Sequence, residues 1–260
     1  MSRWQAQMGF NLIELSVVLV ILGVLAGAGS STYELMTQAR TQATATAKLA
    51  EANNALRAYI ARNKHLPCPD TRDVAQINIG APALGACPVT LTKGWLPYQV
   101  LGLEVPREGQ RLYYGVQRTV LADPVLPDAL VPGEFTQLDM AGALIEALKQ
   151  LANEPPRTTV PYYKHPAPVT ADSSATAVID CGTSGLTINP AYVIIAPGKD
   201  LDRIGTTNPE FDNENTRFVT QSGSAFCFAH PNRSSSFRHD DLVVVESPLS
   251  LLGWLTRLER

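Results

Sequence analysis

Residues 9–29 read GFNLIELSVVLVILGVLAGAG, and the character of this stretch decides the fold. Gly9 and Phe10 lead into about twenty mostly apolar residues, interrupted by one acid, Glu14. At about 1.5 Å rise per residue, a helix over 10–29 is long enough to span a hydrocarbon core of about 30 Å. The preceding MSRWQAQM is short and polar and carries Arg3 beside the amino terminus. That positive charge predicts a cytoplasmic start and an exported body behind a single membrane-spanning segment.

Glu14 needs a reason, because a carboxylate inside a spanning segment costs about 2.5–3.5 kcal/mol and marks a functional position by default. The order Gly9, Phe10, Asn11, Leu12, Ile13, Glu14, then an apolar run with Gly23, resembles the class III leader of type IV pilins and pseudopilins. The resemblance implies cleavage after Gly9 by a prepilin peptidase and methylation of the new Phe10 terminus. It also implies that Glu14, fifth in the mature chain, meets the Phe10 amine of a neighbouring subunit. On this plan residues 1–9 are leader, 10–29 a transmembrane helix, 30–63 an amphipathic spine and 64–260 an α+β head on an antiparallel sheet. The implied location is the bacterial inner membrane, head in the periplasm, and then a pilus or pseudopilus. The implied partners are the peptidase, other pilin or pseudopilin subunits, the inner-membrane assembly platform and membrane lipid.

Three plainer readings compete. Ala26-Gly27-Ala28 offers a small-x-small cut site for an ordinary signal peptide, but Glu14 interrupts what would be its apolar region. An uncleaved anchor is the second. Gly23 and Gly27 form a G-x-x-x-G pair that suits a helix-dimer face, or they simply loosen the helix.

The 260-residue chain leaves ample length beyond this segment for a sizeable core. A formal net charge of -3 argues against a strongly basic nucleic-acid-binding body, and leaves a local basic patch open. Nineteen prolines and eighteen glycines, with 17% charged residues, point to a loop-rich exported fold. No internal repeat is present.

Within 30–63, Leu49, Ala52, Leu56, Tyr59 and Ile60 fall at the three-and-four spacing of one helical face, opposite Lys48, Glu51, Asn54 and Arg57. Pro67 and Pro69 stop that helix. Residues 95–103 form an apolar segment expected to pack on it, and 111–120 a strand. A helix is predicted over TQLDMAGALIEALKQLANE, with Leu138, Ala141, Leu144, Ile145 and Leu148 on one side. The C-terminal third predicts strands at AVID, GLTI, AYVIIA, TRFVT, SAFCFA and DLVVVES, then a short helix carrying Leu251, Trp254, Leu255 and Leu258.

All four cysteines lie beyond the apolar segment, which fits an oxidising compartment. Cys68 and Cys87 flank one loop and are expected to bridge; Cys181 and Cys227 are the proposed second pair, although four cysteines allow three connectivities. Zinc on cysteine is disfavoured, since no C-x-x-C occurs and the one tight Cys/His pair is Cys227 with His230.

The stretch from 197 to 218 is rich in side-chain oxygen. Asp200, Asp202, Asp212, Asn213 and Asn215 are candidate calcium ligands, with Glu214 among them and Asp240 and Asp241 returning before a strand. Such a loop is similar to one in type II secretion pseudopilins, although the EF-hand pattern is absent; Asp and Asn also cap turns without any metal. An enzyme is not expected. CGTSG around Ser184 is not a nucleophile elbow, no phosphate-binding glycine loop occurs, and the four histidines are scattered. His239 with Asp240 and Asp241 is expected in an exposed turn. Trp95, Tyr98, Tyr113 and Tyr114 are expected to fill the core rather than stack a ligand. The functional expectation is a structural, minor pilin subunit; a type II secretion pseudopilin or a filament-borne adhesin or DNA-capture module are the alternatives.

Overall fold

The computed structural model describes residues 12–71, 87–88, 90–107, 109–119, 122–125, 137–165, 181–182, 185–198, 211–221, 225–233 and 239–258. The chain divides into two compact units, Met1–Ala43 and Thr44–Arg260. The helix α1, Leu12–Asn63, contributes to both. Its length follows from composition, since its residues hold no proline and its second half is rich in alanine.

In the first unit the side chains of Ile13, Leu15, Val17–Leu22 and Val24 are exposed. The expected bilayer-spanning segment over 10–29, and the single-pass inner-membrane placement built on it, are overturned here. Among the described residues no helix is long and apolar enough to cross a membrane. Further along α1, Ala39, Arg40, Thr41 and Gln42 are exposed and largely polar.

The second unit is α+β, as expected. Four antiparallel strands run in the order β1 (Lys93–Trp95), β2 (Tyr113–Val116), β5 (Tyr192–Ala196), β6 (Leu242–Glu246). A separate two-stranded sheet pairs β3 (Tyr163–His165) with β4 (Leu186–Ile188). Side chains of a strand alternate between faces, and the four-stranded sheet uses both. Tyr114, Val116, Tyr192 and Ile194 face a core closed by Leu49, Ala52, Leu56 and Ile60 of α1. Tyr98 and Leu101 of α2 (Tyr98–Leu101), Leu144 and Leu148 of α3 (Gln137–Asn153), and Leu251 and Leu255 of α5 (Pro248–Leu258) complete it. The opposite face carries Tyr113, Val193, Ile195 and Val243 against Phe211, Phe218 and Phe228. The four aromatics singled out in the sequence are therefore divided between two cores and form no stacking platform. Leu258, expected to pack, is 53% exposed at the end of α5.

α1 ends at Lys64, whose N–H bonds the Ile60 carbonyl at 2.9 Å with φ at 58°. The chain then turns through the prolines to pair with β1: Asp70 and Trp95 exchange N–H···O bonds of 2.9 and 2.7 Å. A Cβ on Gly94 would lie 2.5 Å from the Asp70 carbonyl oxygen, so this approach requires glycine. Disulfides join Cys68 to Cys87 and Cys181 to Cys227, the expected pairing. Arg118, fully buried, meets both carboxylate oxygens of Asp123 and donates to the carbonyls of Cys87, Pro88 and Leu91, which holds the far end of the first disulfide loop.

The expected strand over 216–220 is instead helical, within α4 (Asn213–Thr220). The Asp212 carbonyl accepts the N–H groups of Asn215 and Thr216, and Phe211 and Phe218 project into the same core at helical spacing. Among the described residues of the expected strand at 224–229, an isolated parallel bridge joins Cys227 to Tyr162. The AVID segment lies outside the described residues.

Candidate metal centre

Antiparallel pairing of Ala196 with Leu242 sets the exit of β5 beside the entrance of β6. Gly198 and the segment His239–Asp241 therefore converge, and α4 begins at the same point. Asp212 N–H donates to Asp241 Oδ2 at 2.8 Å, and Asp240 N–H donates to Asp212 Oδ2 at 2.9 Å. Each acid thus accepts a backbone N–H at or beside the other, which orients both carboxylates.

Asp241 is held most firmly. Its Oδ1 accepts Gly198 N–H at 3.0 Å and its Oδ2 also accepts Asn215 Nδ2 at 2.9 Å. Asn215 is fully buried, and its Oδ1 accepts Ala229 N–H at 2.9 Å. Asn215, expected as a ligand, thus orients Asp241 through its Nδ2 while its Oδ1 holds Ala229. Gly198 permits the close approach: a Cβ there would sit 1.8 Å from Asp240 Oδ1.

The electrostatics follow from burial. Desolvation pushes the Asp212 carboxyl up to about 8, and the neighbouring Asp241 charge adds to the rise. Desolvation likewise raises Asp241 to about 7, partly offset by the N–H donors of Asp212, Asn215 and Gly198. His239, expected in an exposed turn, is 1% exposed. One ligating atom each from Asp212, His239 and Asp241 lies within 4.8 Å of the others. The arrangement offers two carboxylates and an imidazole to a common point.

Of the other expected site residues, Gly9, Phe10, Asp200 and Asp202 lie outside the described residues. Glu14 falls within α1 and Asn213 opens α4, but their side chains are not among those described. The oxygen-rich surroundings marked Asp212, with Asp241 as one of two acids returning before a strand, and gave His239 no role as a ligand. The available signal was three consecutive polar residues entering a strand whose next residues alternate into both cores. Two histidines that look scattered also meet, His165 Nδ1 lying 3.4 Å from His230 Nε2.

No protein-family model, curated protein or solved structure matches the chain.

Proposed function

We propose that the chain is a structural, minor subunit of a type IV pilus-type filament, assembled with other pilin or pseudopilin subunits through the first part of α1. The observation that carries this is the exposure of Ile13, Leu15, Val17–Leu22 and Val24. Consecutive helical residues step about 100° around the axis, so Val17–Leu22 presents apolar side chains on every side. An apolar surface of that extent is a contact surface, and a bundle of like helices covers it from all directions.

The Gly9-Phe10 and Glu14 pattern supports the same reading. Cleavage after Gly9 frees a charged amine at Phe10, and Glu14 gives a neighbouring subunit's amine a counter-charge among apolar helices, where an unpaired charge is costly. Two disulfides suit an oxidising environment outside the cytoplasm. The test is mass spectrometry of filaments sheared from the cell surface. Head peptides together with an N-methylated Phe10 terminus are expected. A mature chain starting at Gly29, or absence from filaments, overturns the proposal.

A further inference from the structure

We propose that Asp212, His239 and Asp241 bind one divalent cation of the zinc class, which clasps the start of α4 to the entrance of β6. The donor set is mixed: an imidazole nitrogen and two carboxylates, brought together from two chain segments. Zinc sites that keep one position open to water take three protein ligands of these types. Around an ion bound at about 2.0–2.2 Å, neighbouring ligand atoms lie about 3.4 Å apart. The three ligating atoms, all within 4.8 Å of one another, lie near that spacing.

The choice of ion follows from the donors. Calcium takes six to eight oxygen ligands, and here the Asn215 oxygen already accepts Ala229 N–H. An imidazole nitrogen in the set favours zinc and its first-row neighbours over calcium. The supporting shell is also in place. Gly198 N–H, Asp212 N–H and Asn215 Nδ2 fix the Asp241 carboxylate, and orienting bonds of this kind are what hold a metal-binding carboxylate in position. Two acids this close repel each other when both are ionised, and a cation between them converts that repulsion into a cross-link.

The test uses the full chain, stripped with a chelator and titrated calorimetrically with zinc and, separately, with calcium. One zinc per chain is expected, bound at least tenfold more tightly than calcium, with a higher melting temperature in the loaded protein. His239→Gln and Asp212→Asn are each expected to weaken zinc binding at least tenfold. The melting temperatures of these variants in chelator, compared with the stripped parent, show whether the substitution has merely damaged the fold. Absence of zinc uptake, uptake unchanged in both variants, or tighter binding of calcium than zinc would each overturn the proposal. A binding loss confined to a His165→Gln or His230→Gln variant would place the ion elsewhere and overturn it too.

Discussion

Arg57 Nη2 donates to Glu246 Oε2 at 2.7 Å, joining α1 to the last strand of the sheet. The same guanidinium lies 5.6 Å from the centre of the Trp254 ring, so one cation links α1, β6 and α5. The two partners are unequally placed: the Arg57 side chain is 34% exposed and that of Glu246 only 7%. Removing the arginine strands a buried carboxylate, whereas removing the acid frees an arginine that can turn to water. Arg57→Met is therefore expected to cost about 2 kcal/mol, after allowance for the solvent around the guanidinium, and Glu246→Gln about 1 kcal/mol. Urea denaturation of the two variants measures this, and equal losses would contradict the asymmetry.

The two disulfides close loops of different size, with sequence separations of 19 and 46. In the chain-entropy account the longer loop contributes more, about 4 kcal/mol against about 3 kcal/mol. Replacing Cys181 and Cys227 by alanine should lower stability more than replacing Cys68 and Cys87. The opposite order would show that contacts of Arg118 with the Cys87 loop, rather than chain entropy, dominate.

Lys64 ends α1 with φ at 58°, a region where a Cβ is strained. Lys64→Gly removes that strain at the position after a helix where glycine is most at home. A gain of about 1 kcal/mol is expected from thermal or urea unfolding. A loss would mean that the entropy of the unfolded glycine chain outweighs the relieved strain.

Lys93 enters the sheet's aromatic face, and its Nζ donates to the carbonyls of Phe218, Gln221 and Ala225. Burial pulls its ammonium down to about 8 from an ordinary value of 10.5. Between those two values the unfolded chain keeps a proton that the folded chain has shed, so this group makes stability rise with pH across that window. Below about pH 8 both states hold the proton and the contribution is flat. The difference in urea midpoint between wild type and Lys93→Met should therefore shift in favour of wild type from about pH 8 to about pH 10. A constant difference would sink this assignment.

How much of this was legible beforehand depended on whether side chains obeyed their local pattern. Leu49, Ala52, Leu56 and Ile60 kept the helical period and were placed on the buried face. β5 and β6 were equally plain, as β-branched runs between turn residues. α4 was misassigned because Thr216, Phe218, Val219 and Thr220 favour strands locally, while the helix is set by the Asp212 carbonyl and by Asn215 reaching Asp241 and Ala229. The metal centre was half visible for a related reason. Polar residues are assigned to the surface by composition, and only the meeting of β5, β6 and α4 buries His239 and Asp241. The first apolar stretch suggested a bilayer span; what stands is a helix whose residues Val17–Leu22 are exposed, and for which a protein partner is proposed.

That partner is the central claim, and photo-crosslinking tests it most directly. The full chain, carrying a benzophenone side chain in place of Val20, would be irradiated in the cells that produce it and the adducts sequenced. Adducts of two subunits joined through peptides of α1, from a second copy or another pilin-type chain, are expected. Irradiation that yields only uncrosslinked chain, or adducts to proteins without such a helix, would contradict assembly through α1.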